Sequence, residues 1–468
     1  LVFSSLIFLF LFLPVTVLIY YVSPRKLRNA VLLIASLIFY AWGEPLYILI
    51  MIFSTVFDYV NGLLIDKYRY RKPIARAVFI GSMVGSLGIL GFFKYAGFVV
   101  DNLNQLLHLN LHAADLPLPV GISFYTFQTM SYVIDVYLDK VPVQRNFVSF
   151  GAYVTMFPQL VAGPIVKYGD IARQLDSRKV TLDRFGEGAE LFIRGLAKKV
   201  LLANNIGWLW TSVKATPLEQ LSVLSAWLGI IAFTLQIYFD FSGYSDMARG
   251  LGKMFGFDFM ENFRYPYISK SVTEFWRRWH ISLGMWFREY VYIPLGGNRS
   301  GLRKQLRNLL IVWFLTGLWH GASWNFIVWG LYFGFFVMVE KLLLLRWLER
   351  RPAYVAHIYT LLVLIFGWVL FEMDTLASAG RFFSVMLGIG GQGLVDQQAL
   401  YALSTNAILL VVLAFCATPF PAKLLSYVRE KWRIAGMITV PFLYILFMTL
   451  STAYLVNATY NPFLYFRF

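Results

Sequence analysis

Residues 308–339 read NLLIVWFLTGLWHGASWNFIVWGLYFGFFVMV, without a single Asp, Glu, Lys or Arg. The run is longer than the ~20 residues that one helical crossing of a ~30 Å hydrocarbon layer needs and shorter than the ~40 needed for two. It is flanked by Arg299, Arg303, Lys304 and Arg307 on one side. On the other stand Lys341, Arg346, Arg350 and Arg351, with Glu340 and Glu349 among them. Both flanks have the basic character of cytoplasmic loops. Either one flank departs from that rule, or the segment enters and returns, turning near the glycines around His320. Both readings put His320 at membrane depth.

The rest of the chain has the same character. Of 468 residues, 59% are hydrophobic and 14% charged, against about 25% charged in a soluble globular domain. A chain this apolar cannot cover itself with a solvated surface, which excludes disorder, a coiled coil and a cytosolic multidomain enzyme. The net charge of +16 would suggest nucleic acid in a soluble protein. Here the basic residues punctuate apolar runs, as they do where loops fix membrane orientation, so no nucleic-acid partner is expected. One cysteine, Cys416, rules out an intrachain disulfide framework and a cysteine-based metal cluster.

Residues 1–22 carry no charge and are expected to be a retained span, since a basic leader and a small-residue cleavage site are missing. Further apolar runs cover 29–43, 45–65, 77–93, 353–371, 403–422 and 434–457. Between 119 and 293 the pattern is patchier, with 121–134, 148–166, 191–210 (interrupted by Arg194, Lys198 and Lys199) and 223–239. The expected fold is an all-α polytopic bundle of about eleven transmembrane helices plus re-entrant or interfacial helices, in one integral-membrane domain over residues 1–468. Loops 24–29, 66–76 and 423–433 are basic, whereas 99–118 holds Asp101 and Asp115 without Lys or Arg and 372–402 holds three acids against Arg381 alone. The first group is expected in the cytoplasm and the second outside.

An ionisable group at membrane depth is costly and is a functional candidate by default. His320 stands in Gly317-Leu-Trp-His-Gly-Ala-Ser-Trp-Asn325. Neutral imidazole is a base poised near physiological pH, and Gly317 and Gly321 permit close approach of a substrate chain. The plain alternative is a buried histidine bridging two helices. His280 stands in Thr273-Glu-Phe-Trp-Arg-Arg-Trp-His-Ile-Ser-Leu283. Helical spacing places Glu274, Arg277, Arg278 and Ile281 on one face and Phe275, Trp279, Ser282 and Trp286 on another. Arg277 and Arg278 suit a cofactor phosphate, or else snorkel at the headgroups. Phe239-Asp-Phe-Ser-Gly-Tyr-Ser-Asp246, with Asp240 and Tyr244, either lines the same cavity or breaks and caps a helix, and composition favours the second. His108 and His112, four apart, lack a third ligand, so no metal is expected. Gly388-Ile-Gly-Gly-Gln-Gly393 matches a dinucleotide fingerprint in letters only and reads as a glycine loop.

Trp319-His-Gly-Ala322, preceded by Phe275-Trp-Arg-Arg-Trp-His-Ile-Ser-Leu283, resembles the signature of the membrane-bound O-acyltransferase family, and most of all its bacterial alginate O-acetyltransferases. The resemblance runs through Val2-Phe-Ser-Ser5, Leu118-Pro-Val-Gly-Ile-Ser-Phe-Tyr125, residues 157–164 (FPQLVAGP) and Tyr238-Phe-Asp-Phe-Ser-Gly-Tyr-Ser-Asp-Met-Ala248. It continues in Met260-Glu-Asn-Phe263, Leu295-Gly-Gly-Asn-Arg299 and the closing residues 463–468 (FLYFRF). It implies a bundle around a central tunnel in a bacterial inner membrane, with His320 as principal catalytic residue and His280 as the second functional histidine. It implies a thioester donor, acetyl-CoA, as substrate with no resident cofactor, and membrane lipid as surroundings. The acetyl group would pass through an extracytoplasmic polysaccharide acetyltransferase to an alginate-like polymer. Trp279, Trp319, Asn325, Tyr244 and Asp240 join Arg277 and Arg278 as substrate-binding candidates. A carrier-fed D-alanyl transferase for teichoic acid and a non-enzymatic exporter are the alternatives.

Overall fold

The computed structural model describes residues 1–112, 116–161, 163–299 and 301–457. The closing words 463–468, Asp115 and position 162 of the FPQLVAGP stretch lie outside them. Every regular element among the described residues is helical, as expected of a chain whose backbone must satisfy its own hydrogen bonds in lipid. The protein is a multi-pass α-helical membrane protein.

Seven helices among the described residues are long and apolar enough to cross a membrane: Ile48–Lys67, Lys72–Leu107, Val223–Met254, Trp324–Glu349, Ala353–Glu372, Gln397–Cys416 and Gly436–Asn457. Several other apolar runs fold into helices that are too short to span. The first run is helical only over Phe8–Val22. Residues 29–43 give the 14-residue Arg28–Ala41, and 148–166 splits into Phe147–Thr155 and Phe157–Leu160. At 1.5 Å per residue these helices reach well under 30 Å. Residues 191–210 instead lie within Leu182–Ala197, the π-helical Lys198–Ala203 and Asn204–Ala215, which follow one another without a break.

The chain packs as two compact units, Leu1–Phe192 with Tyr244–Met260 and Ile193–Gly243 with Glu261–Phe468. In the first, Phe3, Phe8, Phe39 and Phe157 pack into one aromatic core. The Tyr20 hydroxyl donates to the Phe255 carbonyl at 2.6 Å and accepts from Arg178 Nε at 2.8 Å. Asp58, buried on Ile48–Lys67, accepts from the hydroxyls of Ser82 and Ser86 on the next helix at 2.8 and 3.1 Å, as a buried carboxylate requires.

The second unit is built on the 308–339 run. Leu302–His320 and Trp324–Val339 form a helical hairpin that turns at residues 321–323, so the run enters and returns. The glycines explain how closely the two helices pack. A Cβ on Gly317 would lie 2.3 Å from the Phe326 carbonyl oxygen, and one on Gly330 would lie 2.4 Å from that of Trp313. Small residues at such crossings are the usual way for membrane helices to gain close van der Waals contact. The reading of Gly317 and Gly321 as room for a substrate is therefore corrected. The space beside Gly317 holds the partner helix, and that beside Gly321 holds the Phe326 ring.

Candidate functional site

The helix Leu302–His320 ends on His320, and Gly321 continues in extended backbone. The imidazole is buried and collared by aromatic rings: Trp329 at 4.8 Å, Trp319 at 5.0 Å and Phe371 at 5.4 Å between centroids, all edge-on. Phe371 comes from the end of Ala353–Glu372. The two residues after it fix that end. The Glu372 carboxylate accepts from Trp210 Nε1 and Lys214 Nζ, each at 3.0 Å, and the Met373 carbonyl accepts from the Asn325 amide. Asn325 thus ties the hairpin to the collar, which is the role the structure gives this expected binding residue.

His280 does not ride on a continuous helix, and the two-face reading of 273–283 is corrected. The helix Val272–Arg278 stops, His280 adopts a left-handed φ of 45°, and Ile281–Phe287 begins afresh. Residues 262–264 bind both sides of the break. The Asn262 side chain accepts from the Ser282 N–H and hydroxyl, each at 3.0 Å. Its carbonyl accepts from the Ile281 N–H at 3.1 Å, and the Arg264 N–H donates to the Arg278 carbonyl at 2.9 Å. These bonds offset the cost of a non-glycine left-handed residue.

The buried His280 ring packs edge-on against Phe241 at 4.8 Å and against Trp319 at 5.9 Å. Trp319 therefore touches both histidines, and residues 40 positions apart in sequence share one aromatic wall. Trp279, expected to bind substrate, lies instead in the core, stacked on Phe275 and against Phe263 and Trp368.

The two arginines separate. Arg278 is bound to Glu274, with Nη2 and Nε at 2.7 and 2.9 Å from Oε1. Arg277 is exposed and faces a cleft of about 480 Å³ that is also lined by Lys270, Thr273, Glu274, Glu349 and Arg351. Neither histidine lines that cleft. Arg277 and His280 are three residues apart in sequence, on either side of the end of the helix Val272–Arg278.

Asp240 is a buried ion-pair partner, 2.6 Å from Lys199 Nζ, which also donates to Asn204 at 2.9 Å. The helix Val223–Met254 runs unbroken through residues 239–246, so the helix-breaking reading of that stretch is corrected. Asp240 has a cation from the neighbouring π-helix, and the next residue, Phe241, meets His280. Tyr244 belongs to the other compact unit, where it stacks on Phe3 at 4.5 Å. His108 caps a helix at φ 51° with irregular chain beyond it, so His108 and His112 do not share a helical face. Among the described residues no group of three His, Cys, Asp or Glu could hold a metal.

Glu340, Asn262, Trp329, Phe371 and Glu372 escaped the sequence reading. Glu340 was visible only as the first charge after the apolar run, and its burial could not be read there.

The model of the MBOAT, membrane-bound O-acyltransferase family, matches residues 141–373. The "Probable alginate O-acetylase AlgI" of Pseudomonas putida is 41% identical over the full length of both chains. Its namesake in Pseudomonas aeruginosa is 44% identical over 88% of this chain and 81% of its own. The "Peptidoglycan O-acetyltransferase" of Helicobacter pylori is 34% identical over 84% of this chain and 81% of its own.

Proposed function

Because the chain belongs to the membrane-bound O-acyltransferase family, we propose that it transfers acetyl groups from acetyl-CoA, through His320 and His280, toward an alginate-like polysaccharide outside a bacterial inner membrane. The observation that carries this reading is the Trp319 indole, packed on both imidazoles. It makes one site of two histidines that lie on separate helices. Polysaccharide O-acetylation is supported by the printed activities of the relatives, an alginate O-acetylase and a peptidoglycan O-acetyltransferase.

In the proposed reaction His320 takes the proton of the acceptor hydroxyl as its oxygen attacks the thioester carbonyl. The carbon–sulfur bond breaks, and the departing CoA thiolate recovers the proton from the imidazolium. His280 orients the acceptor or stabilises the oxyanion. Arg277, with Lys270 and Arg351 beside it, suits the phosphates of the donor, whereas Arg278 is already engaged by Glu274. Since His320 is collared, the donor's arm reaches it only when an aromatic ring moves aside. The acceptor is either the polymer or an extracytoplasmic acetyltransferase that modifies it.

The test supplies purified full-length protein with labelled acetyl-CoA and, in parallel, with carrier-bound D-alanine. It also measures polymer acetylation in cells carrying His320→Ala. Transfer from acetyl-CoA and loss of polymer acetyl groups with the variant still inserted are expected. Transfer from the carrier alone would move the protein to D-alanylation, and normal acetylation by the variant would remove His320 from the chemistry.

A further inference from the structure

We propose that Glu340 is a positioning residue for His280. Glu340 is fully buried and opens a π-helical turn, Glu340–Leu344, directly after the 308–339 run. Such turns inside helices are frequent at functional sites. Its carboxylate takes three hydrogen bonds from one place: Oε1 from the Val272 N–H at 2.6 Å, and Oε2 from the Thr273 N–H at 2.8 Å and the Thr273 hydroxyl at 2.6 Å. Those groups begin the seven-residue helix Val272–Arg278, a rod of roughly 10 Å, and His280 follows two residues after its end. Asn262 and Arg264 hold its far end. Just before its near end, His357 Nδ1 lies 3.1 Å from the Ser269 carbonyl. A short rod fixed at both ends decides where the ring beyond it lands, and Glu340 is the charged pin. Charge-assisted bonds are about twice as strong as neutral ones, and Glu340 accepts three of them at the near end of this segment. Thr273 also lines the cleft that holds Arg277.

The experiment uses the full chain in detergent, with Glu340→Ala, Glu340→Gln and Thr273→Val. Modification of His280 by diethylpyrocarbonate is followed by peptide mass spectrometry, with His320 in the same molecules as reference. Losing these bonds should speed His280 modification by about ten-fold or more and leave His320 unchanged. Glu340→Gln, which keeps the shape and one acceptor oxygen, should fall between Ala and wild type. Acetyl transfer per folded molecule, a readout that rests on the transfer reading above, should lose kcat in the same order. If Glu340→Ala does not fold, Glu340→Gln and Thr273→Val carry the comparison. Unchanged His280 labelling, or an equal rise at both histidines, overturns the proposal. A wild-type protein that transfers no acetyl overturns the transfer reading instead, and the labelling still decides the role of Glu340.

Discussion

The two histidines are the same side chain held in two different ways. His320 closes a 19-residue helix and is placed by packing: glycines let a second helix press against its own, and three aromatic rings collar the imidazole. His280 sits in a left-handed break between two seven-residue helices and is placed by hydrogen bonds that Asn262 and Glu340 accept and Arg264 donates. Packing forces depend on shape and tolerate no added volume. Hydrogen-bonded clamps depend on particular polar atoms and fail when one is removed. One apolar site can thus contain one arm sensitive to added methyl groups and another sensitive to lost oxygens.

The largest expected effect breaks the pair outright. His320→Ala should lower acetyl transfer by ~10²–10⁴-fold, the usual value of a general base, with membrane insertion intact by protease mapping. His280→Asn follows, because asparagine tolerates left-handed backbone. It should keep the turn yet lose about 10²–10³-fold in rate if the ring stabilises the oxyanion, read as kcat in a folded, monodisperse sample. Gly317→Ala adds one methyl group against the Phe326 carbonyl and should cost about 1–3 kcal/mol in detergent stability, with reactivity rising at His320 and not at His280. Asn262→Ala should do the reverse, leaving the Ser282 N–H buried without its acceptor at a cost of about 1–3 kcal/mol and exposing His280 alone. The smallest change lies outside both arms. Glu187, whose carboxyl is held below its usual range by the hydrogen bond and charge of Lys253 at 2.5 Å, is exposed. Its contribution is present above the ordinary carboxylate range and is lost as pH falls through its lowered pKa. Glu187→Gln should therefore change stability by less than about 1 kcal/mol near neutral pH. If Gly317→Ala and Asn262→Ala loosened both histidines alike, the distinction between the two arms would fall.

The amino-acid sequence was enough for the class of fold, and it singled out the two histidines as candidates. Hydropathy is a property of contiguous residues, so the helices Ile48–Lys67 and Ala353–Glu372 could be read directly, and the length of the 308–339 run left a turn near His320 as one of two readings. Arg277 and Arg278 were legible as phosphate-suited cations, but which of them is engaged depends on the reach of Glu274, one helical turn away. Three things needed the tertiary structure. Trp319 joins His280 to His320 because separate helices pack there. Gly317 serves the Phe326 backbone rather than a substrate. Glu340, which sequence assigns to a solvated flank, is buried beneath the start of another helix. Sequence pattern records what each segment needs to bury, whereas the partner that buries it is chosen by packing between residues far apart in the chain.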